Sequence, residues 1–360
     1  MKSWIDQLSV YEPGLPIEEV ARELGFDDIN SIIKVASNEN EFGPSPKAID
    51  AMISSVNDMH RYPDGGAFYL KEKLALKLNV KPEQILFGNG SNELIVFLSH
   101  LYLEPGRSLV MSEHAFAVYA LATKLYQGEL IQAPMKNLTH DLDAMLNLID
   151  SSTKIVSVVN SNNPTGTAVN PDDLEEFIKQ VPDDVLCVVD EAYYEVMPKD
   201  KQLDLIKYIN LGKENLLILR TFSKGYGLAG LRIGYGIGSS SLITRLNKIR
   251  QPFNVNAMAQ SAALAALDDD EYIESCREKI VHGVQYLSYQ FNKLGLETVP
   301  SAANFILVKT MNGKKVFEDL QKRKIIVRPM NVYNLPDYVR VSVGKEDQNK
   351  KIINAFSEIF

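Results

Sequence analysis

The stretch LRTFSKGYGLAGLRIGYGIG, residues 219–238, places one lysine, Lys224, between hydroxyl residues and glycines, with Arg232 eight positions later. A lysine becomes a nucleophile when desolvation or a cationic neighbour lowers its pKa, and its neutral amine then condenses with a carbonyl to give a Schiff base. Arg232 is such a neighbour in sequence. The hydroxyls of Thr221 and Ser223 just before the lysine need a reason of their own.

The elements that would carry this lysine follow from the hydropathy pattern. KIVSVVN is a β-branched run ending in the polar loop SNNPTG, and a helix follows with Asn170 as cap, Pro171 at its first position and acidic residues behind. Leu174, Phe177, Ile178 and Val181 give that helix one apolar face. VLCVVD at 185–190 and NLLILR at 215–220 are further apolar strands, and such strands alternating with helices specify a parallel sheet covered on both faces. ILFGNGSNELIVFLSHLYL repeats the scheme with a turn at Gly88 and Gly90 and a helix starting near Ser91, whose free N–H groups suit a phosphate. Neither GNGSNE nor GYGIG completes GxGxxG, which argues against a dinucleotide cofactor.

Beyond about Asp268 the pattern turns to charged amphipathic helix and short strands such as NFILVKT and IIVRP, a second, α+β domain with which the first forty or so residues would pack. A chain of 360 residues exceeds what one core usually organises. The expected division is 40–265 for a large α/β domain with a mostly parallel sheet, and 1–39 with 266–360 for a small domain and N-terminal arm. Lys and Arg total 38 against 46 Asp and Glu, a formal charge of −8 without blocks of like charge, so neither nucleic acid nor an anionic membrane is an expected partner. No apolar run is long enough for a bilayer and the N-terminus lacks a signal-type core, so the expected location is the cytoplasm. Cys187 and Cys276 form no paired motif, and the five histidines are scattered, so the expectation is buried thiols and no metal.

In open parallel sheets, ligands sit beyond the carboxyl ends of the strands. NNPTG after Val159, DEAYYE after Val189 and TFSK after Leu219 all fall at such ends, so an amide, an acid, a phenol and the amine would share one cleft. RTFSKGYGLAGLRIGY, NNPTG, DEAY, GNGSNE and RYPDGG together resemble the fold-type I pyridoxal 5'-phosphate (PLP) aminotransferases, class II among them, and within these the histidinol-phosphate aminotransferase family. The resemblance runs from VASNENEFGPSP to YVRVSVG. Each motif alone is weak, whereas five in the family's order are specific.

The resemblance implies that Lys224 holds PLP and shuttles the proton, that Asp190 pairs with the ring nitrogen, and that Tyr193 and Asn163 meet the ring oxygen. An ionised carboxylate keeps the ring protonated and so preserves its capacity to accept electrons. Ser91, Asn92, Thr221, Ser223 and Arg232 would hold the phosphate, which answers why hydroxyls precede the lysine. Phe116 would stack on the ring where many relatives carry tyrosine, and Tyr62 of RYPDGG would reach the phosphate of a neighbouring subunit, implying a homodimer.

For the substrate the resemblance implies Arg340 on a carboxylate, Arg328 on the substrate phosphate, Tyr11 closing over, and Asn38 beside them. The reaction implied is transamination between L-histidinol phosphate and 2-oxoglutarate, giving imidazole-acetol phosphate and L-glutamate in histidine biosynthesis. Aromatic amino-acid aminotransferases and threonine-phosphate decarboxylases share the scaffold, since one arginine serves phosphate or carboxylate. A non-catalytic PLP-binding protein is the reading from a different class, and Lys224, Asp190, Tyr193 and Arg340 together argue against it.

Overall fold

The computed structural model describes residues 3–8, 10, 14 and 16–360. Its largest sheet has seven strands in the order Ile85–Gly88, Gly234–Gly238, Leu216–Thr221, Leu186–Asp190, Thr153–Val159, Ser108–Ser112 and Glu129–Ala133. Gly234–Gly238 runs antiparallel to both its neighbours, and the remaining pairings are parallel. Strand alternation splits the apolar runs into two cores. Cys187, Val189, Leu216 and Ile218 pack with Leu174, Phe177 and Ile178 on one face, while Leu186, Val188, Leu217 and Leu219 pack with Leu94, Leu98 and Tyr119 on the other. The helix Pro171–Gln180 begins as its sequence dictates, with the Asn170 side chain accepting from the Asp172 N–H at 2.8 Å.

GYGIG is the antiparallel strand, and its first glycine has a steric reason. A Cβ on Gly234 would stand 2.5 Å from the Ser91 nitrogen, so only glycine lets this strand pass under the N-terminus of the helix Gly90–Tyr102.

A four-stranded antiparallel sheet, Thr298–Val299, Phe305–Lys309, Tyr338–Ser342 and Arg328–Pro329, forms a separate layer. Ile33–Lys34 pairs in parallel with Ile325–Ile326, and Ile33 and Val35 enter the core of this sheet, so early and late residues pack together. The helix Asp270–Lys293 ties the layers: Ile273 sits in the large core, Ile280 beside Tyr193 and Phe305, and Leu287 and Phe291 in the small core. Among the described residues no helix is long and apolar enough to cross a membrane. Both cysteines are buried and free.

Candidate active site

A cavity of about 950 Å³ opens beyond the carboxyl ends of the parallel strands, bounded on its far side by the small sheet. Asp190 ends one strand, Thr221 the next, and Asn163 lies in the loop after a third, so period-two alternation and strand order bring the polar clusters to one place. Ser91, Asn92, Phe116, Asn163, Asp190, Tyr193, Thr221, Ser223, Lys224 and Arg232 all line it, as do Asn38, Arg328 and Arg340. Two expected residues are not among those named. Tyr62 is 84% exposed and stacks on Phe253 outside the cavity, and Tyr11 lies outside the described residues.

Lys224 projects into the cavity, where its Nζ donates to the Ser37 carbonyl at 3.1 Å. Burial foremost, then the Arg340 charge, brings its pKa down from 10.5 to about 7, with Glu39 opposing and Arg232 and Lys34 adding to the fall. The amine is thereby available in neutral form near neutral pH.

Asp190 is 1% exposed. Its oxygens accept from two neutral donors, the Tyr119 hydroxyl at 3.2 Å and the Ala192 N–H at 3.2 Å, and burial pushes its pKa up to about 7. A carboxylate so placed is stabilised by a cationic N–H brought to it from the cavity. Tyr119 escaped the sequence reading, although it lies three residues after Phe116 on the helix Ala117–Leu125 and so on the same face. Burial and the Asp190 charge raise the Tyr119 pKa well above 10, which keeps its proton in the hydrogen bond.

The Tyr193 hydroxyl accepts from Asn38 Nδ2 at 2.9 Å, and burial raises its pKa to about 12. Asn38 has φ of 54°, a left-handed conformation held by hydrogen bonds with Ser342 and by Asn304 Nδ2 donating to its carbonyl. Arg340 is 6% exposed; it donates to Asn163 Oδ1 through Nη1 and to the Ala36 carbonyl through Nη2 at 2.7 Å. In the small sheet Arg328 and Arg340 are directly opposed across an antiparallel pair, so two guanidinium groups border the same cavity.

At the other end of the cavity, Arg232 adopts φ of 57° and crosses the start of the helix Gly90–Tyr102. A Cβ on Gly90, whose φ is 71°, would stand 2.9 Å from Arg232 Nη2. Arg232 Nη1 also meets Ser223 Oγ at 3.5 Å, and Thr221 Oγ1 accepts from the Ser223 N–H at 3.1 Å and donates to the Ile233 carbonyl at 3.3 Å. A guanidinium, a hydroxyl and the free N–H groups of a helix start thus converge, the donor set a phosphate monoester needs. With Lys224 and Asp190 facing the same space, these residues fit PLP: an anion seat, an amine for the aldehyde and a carboxylate for the ring nitrogen.

The family model described as aminotransferase class I and II matches residues 30–356. A protein of Moorella thermoacetica named histidinol-phosphate aminotransferase is 45% identical over 350 residues, covering 97% of this chain and 90% of that one. Histidinol-phosphate aminotransferase 2 of Pseudomonas aeruginosa is 44% identical, covering 99% and 96%. Among solved structures, histidinol-phosphate aminotransferase of Sinorhizobium meliloti, in complex with pyridoxal-5'-phosphate, superposes with a TM-score of 0.91 at 28% identity, covering 100% of this chain and 97% of that one. Aspartate aminotransferase of Thermus thermophilus, with a TM-score of 0.86 and 20% identity over 100% and 99% of the two chains, shares the fold. The chain belongs to the class I and II aminotransferase family, with the histidinol-phosphate aminotransferases as its relatives.

Proposed function

We propose that the chain transfers the amino group of L-histidinol phosphate to 2-oxoglutarate, giving imidazole-acetol phosphate and L-glutamate, as a step of histidine biosynthesis. The cofactor is PLP, which when bound supplies the electron sink that stabilises negative charge at the substrate Cα. The observation that carries the substrate assignment is the pair Arg328 and Arg340, opposed on neighbouring strands and both lining the cavity with Lys224. A substrate with a phosphate and a co-substrate with two carboxylates both need cationic ends. Relatives of this name at 45% and 44% identity support the same reading.

In this reading Lys224 is the residue that would hold the cofactor through its aldehyde, and its neutral Nζ would be the base that moves the proton at the substrate Cα. Its lowered pKa of about 7 suits both tasks. Asp190, oriented by the Tyr119 hydroxyl, would be the partner of the ring nitrogen and keep a proton on it. Asn163 gives its Oδ1 to Arg340, which leaves its Nδ2 as the donor end for the ring oxygen, alongside the Tyr193 hydroxyl. Arg232, Ser223, Ser91 and Asn92 bind the cofactor phosphate, and Thr221 shapes the turn that aims Ser223. Phe116, which lines the cavity, would cover the ring face. Arg340 takes a substrate carboxylate, Arg328 the substrate phosphate, and Asn38 fixes Tyr193.

The proposal includes a cytoplasmic homodimer, with residues 40–265 as the cofactor-binding domain and 1–39 with 266–360 as the small domain. The two sheets support that division. Tyr62 at 84%, Tyr69 at 75% and Phe68 at 57% exposure offer an aromatic surface that a second copy would cover, and Tyr62 is the residue the resemblance assigns to that copy's phosphate. Tyr11, which lies outside the described residues, is assigned to close over the substrate on the resemblance alone.

The test is the half-reaction of PLP-loaded protein with L-histidinol phosphate beside equal phenylalanine, tyrosine and threonine phosphate, followed by loss of the visible cofactor band. Preference for histidinol phosphate is expected. Preference for an aromatic amino acid would overturn the substrate and keep the chemistry.

A further inference from the structure

The strands that end at the cavity carry a second charged set on their other face. Successive residues of a strand point to opposite sides of the sheet. Asp190 and Thr221 line the cavity; their neighbours Glu191 and Arg220 turn away from it and are each 4% exposed. Arg220 Nε donates to Glu191 Oε2 at 2.8 Å, joining the ends of two adjacent strands. The Arg220 guanidinium carbon stands 3.6 Å from the centroid of the Tyr194 ring, and Tyr194 follows Tyr193. Glu195 completes the cluster at 6% exposure, and among the described residues its Oε2 has no hydrogen-bond partner. Its Cβ packs on Gly225, where an added Cβ would stand 2.4 Å away, and Gly225 follows Lys224.

Every segment that presents Asp190, Tyr193, Thr221 or Lys224 thus has an adjacent residue in one buried cluster behind the site. Stability does not explain an ion pair in such a place, since packed apolar side chains in place of a buried pair are often neutral or stabilising. A planar fork clamped between a carboxylate and an aromatic ring does fix two strand ends and a loop relative to one another.

We propose that Arg220, through Glu191 and Tyr194, is a positioning residue for the transamination: from behind the sheet it holds Asp190, Tyr193 and Lys224 in register, resting on the roles assigned to those three above. Glu195 extends the brace to the loop of the lysine.

The experiment compares wild type with Arg220→Lys and with the double variant Arg220→Met, Glu191→Leu, all loaded with PLP. Three quantities are read: the pH midpoint of the absorbance of Lys224-bound PLP, the dissociation constant for PLP added to the cofactor-free protein, and kcat and KM separately. The expected result for folded variants is a pH midpoint displaced by about half a unit or more. PLP binding is expected to weaken and kcat to fall roughly ten- to hundredfold, with KM held within about twofold, because misplacement by ~1 Å costs rate rather than substrate binding.

Arg220→Lys keeps the charge and a bond to Glu191, so it decides the question by itself if the double variant does not fold. Folded variants that keep kcat, midpoint and PLP affinity overturn the role of Arg220, as does a loss confined to melting temperature. Wild type that fails to convert its bound PLP with L-histidinol phosphate counts instead against the proposed function, which separates the two failures.

Discussion

Lys224 is the group to perturb first, and pH is the perturbation. Burial and the Arg340 charge take its pKa from 10.5 to about 7, which at about 1.4 kcal/mol per pKa unit disfavours the ammonium by on the order of 5 kcal/mol. In the cofactor-free protein the neutral fraction is then roughly a tenth at pH 6, half at pH 7 and nine-tenths at pH 8. Labelling with trinitrobenzenesulfonate from pH 5 to 11, scored by mass spectrometry of the Lys224 peptide, is expected to level off above about pH 8. Reactivity that still climbs tenfold per unit at pH 9 would refute the lowered pKa. Arg340→Met removes a cation and is expected to move the midpoint upward; a downward shift would contradict the assignment of causes. Stability follows with a definite sign. The folded pKa lies below the unfolded one, so the folded state binds fewer protons between about pH 7 and 10.5, and stability rises with pH across that window. Below about pH 7 the full penalty is present. Lys224→Met is therefore expected to melt above the cofactor-free wild type at pH 7, with the gap closing toward pH 10.

Asp190 has the opposite linkage: its folded pKa of about 7 lies above the usual 3.8, so in the cofactor-free protein it favours folding at low pH, and that contribution is lost as pH rises from 4 to 7. Asp190→Asn should flatten this slope in a melting series while lowering turnover by roughly a hundredfold or more; turnover near wild type would remove Asp190 from the chemistry. Gly234→Ala places a Cβ 2.5 Å from the Ser91 nitrogen, so the helix start must shift and PLP should bind about tenfold more weakly by fluorescence titration. An unchanged affinity would exclude the Ser91 N–H as an anchor. Arg340→Met and Arg328→Met should split by substrate, each raising KM for its own anion by roughly ten- to a hundredfold. Equal effects on 2-oxoglutarate and histidinol phosphate would show that the two arginines do not divide the work.

Much of the fold was legible because apolar runs declare their burial. VLCVVD up to its last position and NLLILR between its two ends have no polar residue to show water, which fits a sheet covered on both faces, and Asn170 with Pro171 announced a helix start that the structure uses. GYGIG was legible only as a failed dinucleotide motif. Its glycines carry no hydropathy pattern, and the close approach of Ser91 that requires Gly234 comes from a helix more than a hundred residues earlier in the chain.

The sequence by itself determined the chemical inventory. An amine beside hydroxyls, a carboxylate and a phenol at strand ends, and two late arginines are fixed by residue type, and strand order sends all but the arginines to one edge of the large sheet. Only the tertiary structure decided how those groups are tuned. The pKa of Lys224 depends on burial and on Arg340, 116 positions away in sequence; Asp190 is oriented by Tyr119, and Tyr193 by Asn38. Nor could the sequence place Glu191 and Arg220 against each other behind the site, since that pairing exists only once two parallel strands have taken their register. Desolvation and charge proximity act through space, and distance in space is what a linear pattern does not contain.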